Sequence, residues 1–132
     1  MGSFRFHKSE RLCSKVLIDN LFTKGNRVVT QFPFRVLWQF VPEQSFEFPA
    51  QMLVSVSKRN FSNSTDRNRI KRQIRELYRL NKHTLYDALE QSGKKMTIAF
   101  VYQGKTLLSA AQMNESFTKL VQKINHQLEQ AA

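Results

Sequence analysis

The chain has 132 residues and a formal net charge of +11, from 21 Lys and Arg against 10 Asp and Glu. That length supports one domain, residues 1–132, whose core buries roughly two thirds of the unfolded surface. A lone Cys13 excludes an intrachain disulfide and a Cys-based zinc site, the scattered His7, His83 and His126 lack metal-ligand spacing, and no apolar run approaches the roughly 20 residues of a transmembrane helix.

The predicted elements run as follows. Residues 9–24, SERLCSKVLIDNLFTK, read as a helix with Ser9 as N-cap and Gly25 as its stop. Leu12, Val16, Leu17 and Leu21 keep helical spacing, Ile18 and Phe22 form an adjoining stripe, and Lys8, Arg11, Lys15 and Lys24 lie along or near it. FRVLWQFV (34–41) alternates as a strand does: Phe34, Val36, Trp38 and Phe40 face one way, Arg35, Leu37, Gln39 and Val41 the other. A loop bracketed by Pro42 and Pro49 leads to a second strand, AQMLVSVS (50–57), and a hairpin of these two is expected. KRNFSNSTD (58–66) is turn-rich, with Ser64, Thr65 or Asp66 as cap for the next helix. That helix fades towards Gly93, a third strand follows at 95–102, and a final helix spans about 113–130. The order α-β-β-α-β-α predicts an α+β sandwich, helices against a small mixed sheet.

The middle helix carries the unusual chemistry. At 100° per residue, Ile70, Ile74, Leu77, Tyr78 and Leu85 share one arc, while Asn68, Arg69, Lys71, Arg72, Arg75 and Arg79 occupy the arc opposite and Arg67 flanks the apolar edge. Between Lys58 and Lys82 there are nine Lys or Arg and two acids, a net of +7. A solvated helix face usually alternates signs for i,i+4 support. One nearly without acids points to a polyanion: RNA, DNA or an acidic membrane surface.

RNRIKRQIREL (67–77) resembles the signature of the bacterial ribonuclease P protein component. ERL…LFTKG resembles that family's first helix, VLW a strand of its binding cleft and SVSKR the strand leading to the basic helix, so the resemblance spans nearly the whole chain. It implies a left-handed βαβ crossover, against the usual right-handed rule. It implies a protein partner of a catalytic RNA that cuts the 5′ leader from precursor tRNA with Mg²⁺ bound mainly through the RNA. The protein would grip the single-stranded leader in a cleft and dock its basic helix on the RNA. Two positions depart from the pattern: 59–66 lacks the glycine the family usually has there, and Ile18 stands with Phe22 where two aromatics are common.

The implied contacts to the catalytic RNA are Arg67, Asn68, Arg69, Lys71, Arg72, Arg75 and Arg79, with Lys58 and Arg59 in the turn. The implied leader cleft takes Lys8, Arg11, Lys15, Ile18, Phe22 and Trp38, although period-two alternation around Trp38 equally describes a buried strand face. Asn68 suits either local capping or a base or 2′-OH contact. No carboxylate pair, His cluster or nucleophile–base set stands out, so no catalytic residue is expected in this chain. MGSFRFHKS has no apolar leader segment, and Phe6 stands where a myristoylation signal wants Ser or Thr. The expectation is therefore a cytoplasmic protein with no membrane and no obligate protein partner. The alternatives are an architectural or ribosomal-type RNA-binding protein and, less well supported, a basic DNA-binding helix protein, for which no recognition-helix pair is seen.

Overall fold

The computed structural model describes residues 6–23 and 26–131. They form an α+β architecture: helix α1 (Lys15–Thr23), strands β1 (Arg27–Gln31), β2 (Phe34–Val41) and β3 (Ala50–Val56), helix α2 (Ser64–Ser92), strand β4 (Lys95–Tyr102) and helix α3 (Ala110–Ala131). The four strands make one mixed sheet in the order β1-β2-β4-β3, with β1–β2 and β2–β4 antiparallel and β3–β4 parallel.

Two expectations about the sheet are corrected. The expected hairpin of 34–41 with 50–57 does not form. Instead RVVTQ at 27–31, rich in β-branched residues, is an unexpected strand that pairs with β2 through the turn at Phe32-Pro33, a cis peptide bond. β4 then inserts between β2 and β3. The reason lies in burial: five consecutive residues of β4, Met96 to Phe100, are buried, which fits the central place of a strand covered on both faces. The Pro42–Pro49 connection, with a 3₁₀ turn at Glu43–Ser45, carries the chain across to the far edge rather than reversing it tightly. β3, α2 and β4 together form a parallel βαβ unit.

The sheet has a large core on one face and a small one on the other. Phe34, Val36 and Trp38 of β2, Met52 of β3 and Ile98 and Phe100 of β4 pack under α2 and α3, against Ile70, Ile74, Tyr78, Phe117 and Leu120. On the opposite face Leu37 and Ala99 pack with Leu12 and Leu21, with Leu17, Ile18 and Leu53 half-buried around them. α1 therefore lies over the centre of that second face.

Local sequence sets the helix ends. α2 is capped by Asn63, whose side chain accepts from the Thr65 N–H at 2.8 Å, one residue before the predicted caps. It continues unbroken to Ser92 and stops at Gly93, whose φ of +67° is the left-handed conformation that a Cβ would strain. α3 starts three residues earlier than predicted, because Ser109 and Gln112 exchange hydrogen bonds at 3.0 and 3.2 Å as a capping pair.

The predicted helix 9–24 is shorter than expected. α1 begins only at Lys15, where the Ser14 hydroxyl accepts from the Leu17 N–H, and Asn26 donates to the Leu21 carbonyl at its far end. Lys24 and the predicted stop Gly25 lie outside the described residues. Residues 6–14 instead cross the molecule as a strap. Lys8–Glu10 make a 3₁₀ turn, Arg11 bridges in parallel to Met52, and the Leu12 N–H donates to the Met52 carbonyl at 2.8 Å.

Candidate nucleic-acid interface

α2 is amphipathic in the sense the sequence implied. Ile70, Ile74, Tyr78, Leu85 and Leu89 are buried, Asn68, Arg69 and Arg72 are exposed, and Lys71, Arg75 and Arg79 are half-exposed on its flank. The one acid on that flank, Glu76, is engaged by Arg79 at 2.5 Å. That hydrogen bond holds the Glu76 carboxyl below its ordinary range and raises the Arg79 guanidinium. Both groups are solvated, so the pair does little for stability. Its local effect is to cancel the acid and leave the remaining cations of this stretch unopposed.

Arg67 requires a correction. Its Nη1 donates to the Phe61 carbonyl at 2.7 Å and the Ser62 carbonyl at 3.0 Å, so it closes the turn that enters α2. The sequence placed it with the phosphate-binding arginines; one nitrogen of its guanidinium is given to the turn. The same turn shows how 58–63 dispenses with glycine. No non-glycine residue described has positive φ. Phe61 is buried with its ring 5.9 Å from that of Tyr102, and its N–H donates to the Ser57 carbonyl. Lys58 and Arg59 project exposed from this anchored turn, close in sequence to the start of α2.

Trp38 is the second correction. It lies on the core face, with 0% exposure, and its indole N–H donates to Gln127 Oε1 at 2.8 Å. A ring with no accessible surface cannot stack on a base. The alternation that placed it on one side of β2 was right; that side is the main core. Ile18 is half-buried in the small cluster under α1. Phe22, from the same helix, remains 42% exposed.

The second sheet face supplies Thr30, Arg35 and Val101, which the sequence did not assign to a site, beside Ser55. Thr30, Arg35, Val101 and Ser55 are in register across all four strands, and none is buried. This row lies beside the one that α1 covers, Val28, Leu37, Ala99 and Leu53. Arg35 puts a cation on an open sheet face. The signal was present, since alternation set Arg35 opposite Trp38.

The strap brings Arg11 to α2 through a buried network. Glu10 is 0% exposed and accepts from Lys82 Nζ at 2.7 and 2.8 Å, from the Tyr86 hydroxyl at 2.5 Å and from the His7 N–H at 2.9 Å. Tyr78 and Tyr86 share a further hydrogen bond at 3.0 Å, and burial pushes both phenols well above their ordinary value. Phe6 meets Tyr78 edge-on at 5.9 Å, and the Arg11 guanidinium sits 5.8 Å over the Phe6 ring. Arg11 is thereby held near Arg75, whose pKa is lowered first by partial burial and then by Arg11 itself. Lys8 and Lys15 are exposed on the strap and at the start of α1.

A family model described as Ribonuclease P matches residues 6–125. The ribonuclease P protein component of Porphyromonas gingivalis is 41% identical over 100 residues, covering 76% of this chain and 72% of that protein. The chain belongs to the ribonuclease P protein family. The Chlorobaculum tepidum component is 35% identical over 96 residues, 69% of this chain and 62% of the relative. Among solved structures, the Staphylococcus aureus RNase P protein superposes with a TM-score of 0.71 at 21% identity, covering 89% of this chain and 96% of the other. The Thermotoga maritima RNase P protein gives 0.64 at 20% identity, covering 86% and 96%. At that identity the two structures speak for the fold, a four-stranded mixed sheet with three helices. Family membership associates the chain with ribonuclease P and so with tRNA processing. Among the described residues, no helix is long and apolar enough to cross a membrane, and no three His, Cys, Asp or Glu converge as a metal site.

Proposed function

We propose that this chain is the protein subunit of a ribonuclease P ribonucleoprotein, binding a catalytic RNA and the 5′ leader of precursor tRNA while the RNA carries out the cleavage. The observation that carries the reading is the unopposed cationic flank of α2, whose one acid is already paired. Arg69, Lys71, Arg72 and Arg75 bind phosphates of the catalytic RNA, arginine in the bidentate manner that its planar fork allows, and Arg79 adds a contact where a phosphate displaces Glu76 from it. Asn68, exposed in the second turn of α2 and not its cap, is free to read a base edge or a 2′-OH. Lys58 and Arg59 extend the same surface.

The leader lies on the second sheet face. Phe22 offers a stacking ring, worth about 1–3 kcal/mol per base. Arg35, Lys15, Arg11 and Lys8 take its phosphates. Mg²⁺ enters with the RNA. Mg²⁺ is usually held by one or two carboxylates together with substrate phosphates, and here the phosphates come with the RNA. The complex works in the cytoplasm and requires no second protein.

Reconstitution tests the reading. The purified chain alone leaves precursor tRNA intact. Added to a bacterial ribonuclease P RNA, it promotes correct 5′ cleavage at Mg²⁺ concentrations where the RNA alone is slow. Absence of any stimulation across a Mg²⁺ titration would leave an architectural RNA-binding role instead.

A further inference from the structure

On the edge of α2 away from the strap, a groove of about 360 Å³ opens against the start of α3, lined by Arg72, Gln73, Glu76, Leu77, Ala110 and Met113. None of the contacts assigned above uses its interior. Met113 is buried and Leu77 half-buried, giving apolar walls, and Ala110 is exposed at the rim. Gln73 and Arg72 line the groove chiefly through their aliphatic stems, and Arg72 is exposed beside it. Arg69, three residues before Arg72 and four before Gln73, is exposed on the same side of the helix.

The groove has a fixed shape. The start of α3 is pinned by the Ser109–Gln112 capping pair. The preceding loop is folded onto Tyr102, whose hydroxyl donates to the Thr106 carbonyl at 2.8 Å, and Gly104 lies so near that a Cβ would sit 2.8 Å from the Tyr102 ring.

Its chemistry selects the ligand. Apolar walls accept the faces of a planar ring, and the exposed Arg72 and Arg69 beside them take the adjoining phosphates; these are contacts by which proteins hold bases splayed out of single strands. The charge at the mouth agrees. Glu76 is bound by Arg79, so Arg72 and Arg69 set the sign, and a polyanion is favoured over an acid-poor protein surface. We propose that this groove receives one unstacked base of the catalytic RNA, with the flanking phosphates on Arg72 and Arg69. The proposal rests on the RNA-subunit reading above and adds to it a stacking site for a base beside the contacts of the flank.

The test fills the groove from its rim. Ala110→Trp is placed at the exposed first position of α3. Its fold is checked by circular dichroism and melting temperature. The probe is a bacterial ribonuclease P RNA transcript, examined by base-specific chemical modification and by binding. The unaltered chain should protect at least one base that is unpaired and reactive in the free RNA. Ala110→Trp should restore that reactivity and weaken binding about tenfold, the order expected for one lost stack, without changing the salt dependence. An abasic nucleotide at the protected position should weaken binding of the unaltered chain by a similar factor and add nothing to Ala110→Trp. That arm holds even if the Trp variant folds poorly. If the RNA binds but shows the same protections and affinity with both chains, or if the abasic change has no effect, the groove is not a base site and the RNA-subunit reading stands. If the unaltered chain fails to bind the RNA, both fall together.

Discussion

Replacing Lys82 by Met should be among the most damaging single changes in α2, though it removes a cation from a protein with a net charge of +11. Lys82 is 6% exposed and supplies two contacts to a carboxylate that is 0% exposed. Methionine preserves the length of the stem and leaves Glu10 charged and buried. Breaking one side of such a pair costs about 3–5 kcal/mol. Tyr86 and the His7 N–H still donate to the carboxylate, so the loss belongs at the lower end, about 3 kcal/mol. Against a typical total of roughly 5–15 kcal/mol that is a large fraction. For a chain of this size it amounts to roughly 10 °C in melting temperature.

The assay is guanidinium unfolding followed by circular dichroism and by Trp38 fluorescence. The midpoint should fall with the slope unchanged, since the area exposed on unfolding is the same. The paired change Glu10→Gln with Lys82→Met is the control. It removes both charges, keeps partners for Tyr86 and His7, and should return to within about 1 kcal/mol of the unaltered protein. A loss below about 1 kcal/mol for Lys82→Met alone, or a double variant no better than the single, would refute the idea that a buried carboxylate pins the strap to α2.

Three further outcomes follow from the same geometry. RNA binding should fall with ionic strength along a log–log slope of roughly −4 to −5 for about six phosphates, and Arg69→Ala with Arg72→Ala should flatten it by about two without moving the melting temperature. Arg67→Ala should behave oppositely, costing about 1–3 kcal/mol of stability through its two turn carbonyls while leaving the salt slope nearly unchanged. Trp38→Ala should cost about 3–5 kcal/mol, yet the folded fraction should still distinguish tRNAs with and without a leader, a discrimination that Phe22→Ala should weaken.

The parts legible in the sequence were those set by local periodicity. The buried stripe Ile70–Ile74–Tyr78 follows from a 3.6-residue repeat, and the cationic arc from the same geometry. The two faces of β2 follow from a period of two, but periodicity does not say which face of a sheet is the deeper one, and Trp38 fell on the wrong side of that ambiguity. Strand β1 is five residues long, too short to announce itself, and it exists because β2 offers it an edge. Glu10 and Lys82 are 72 residues apart, so each looked like an ordinary surface charge. Arg67 differed from its neighbours only through a turn whose path the sequence left open. In each case the missing information was long-range: which segment lies beside which.

The length of α2 explains why one helix can serve both packing and recognition. Its 29 residues extend over roughly 44 Å at 1.5 Å per residue. The C-terminal half carries Lys82, Leu85 and Leu89 into the interior, and the cations that stay at the surface run from Arg69 to Arg79, in and just past the N-terminal half. The positive end of the helix dipole lies in the first turn, and its field falls off before most of these cations. Asp66, in the first turn, meets the same dipole and offsets only one charge. The strap adds Arg11 to this surface, near Arg75, by fastening Glu10 to Lys82 and Tyr86 further along the helix. A phosphate backbone approaching this half meets cations from two separate segments of chain held in one place, which a flexible basic tail of equal charge could not offer.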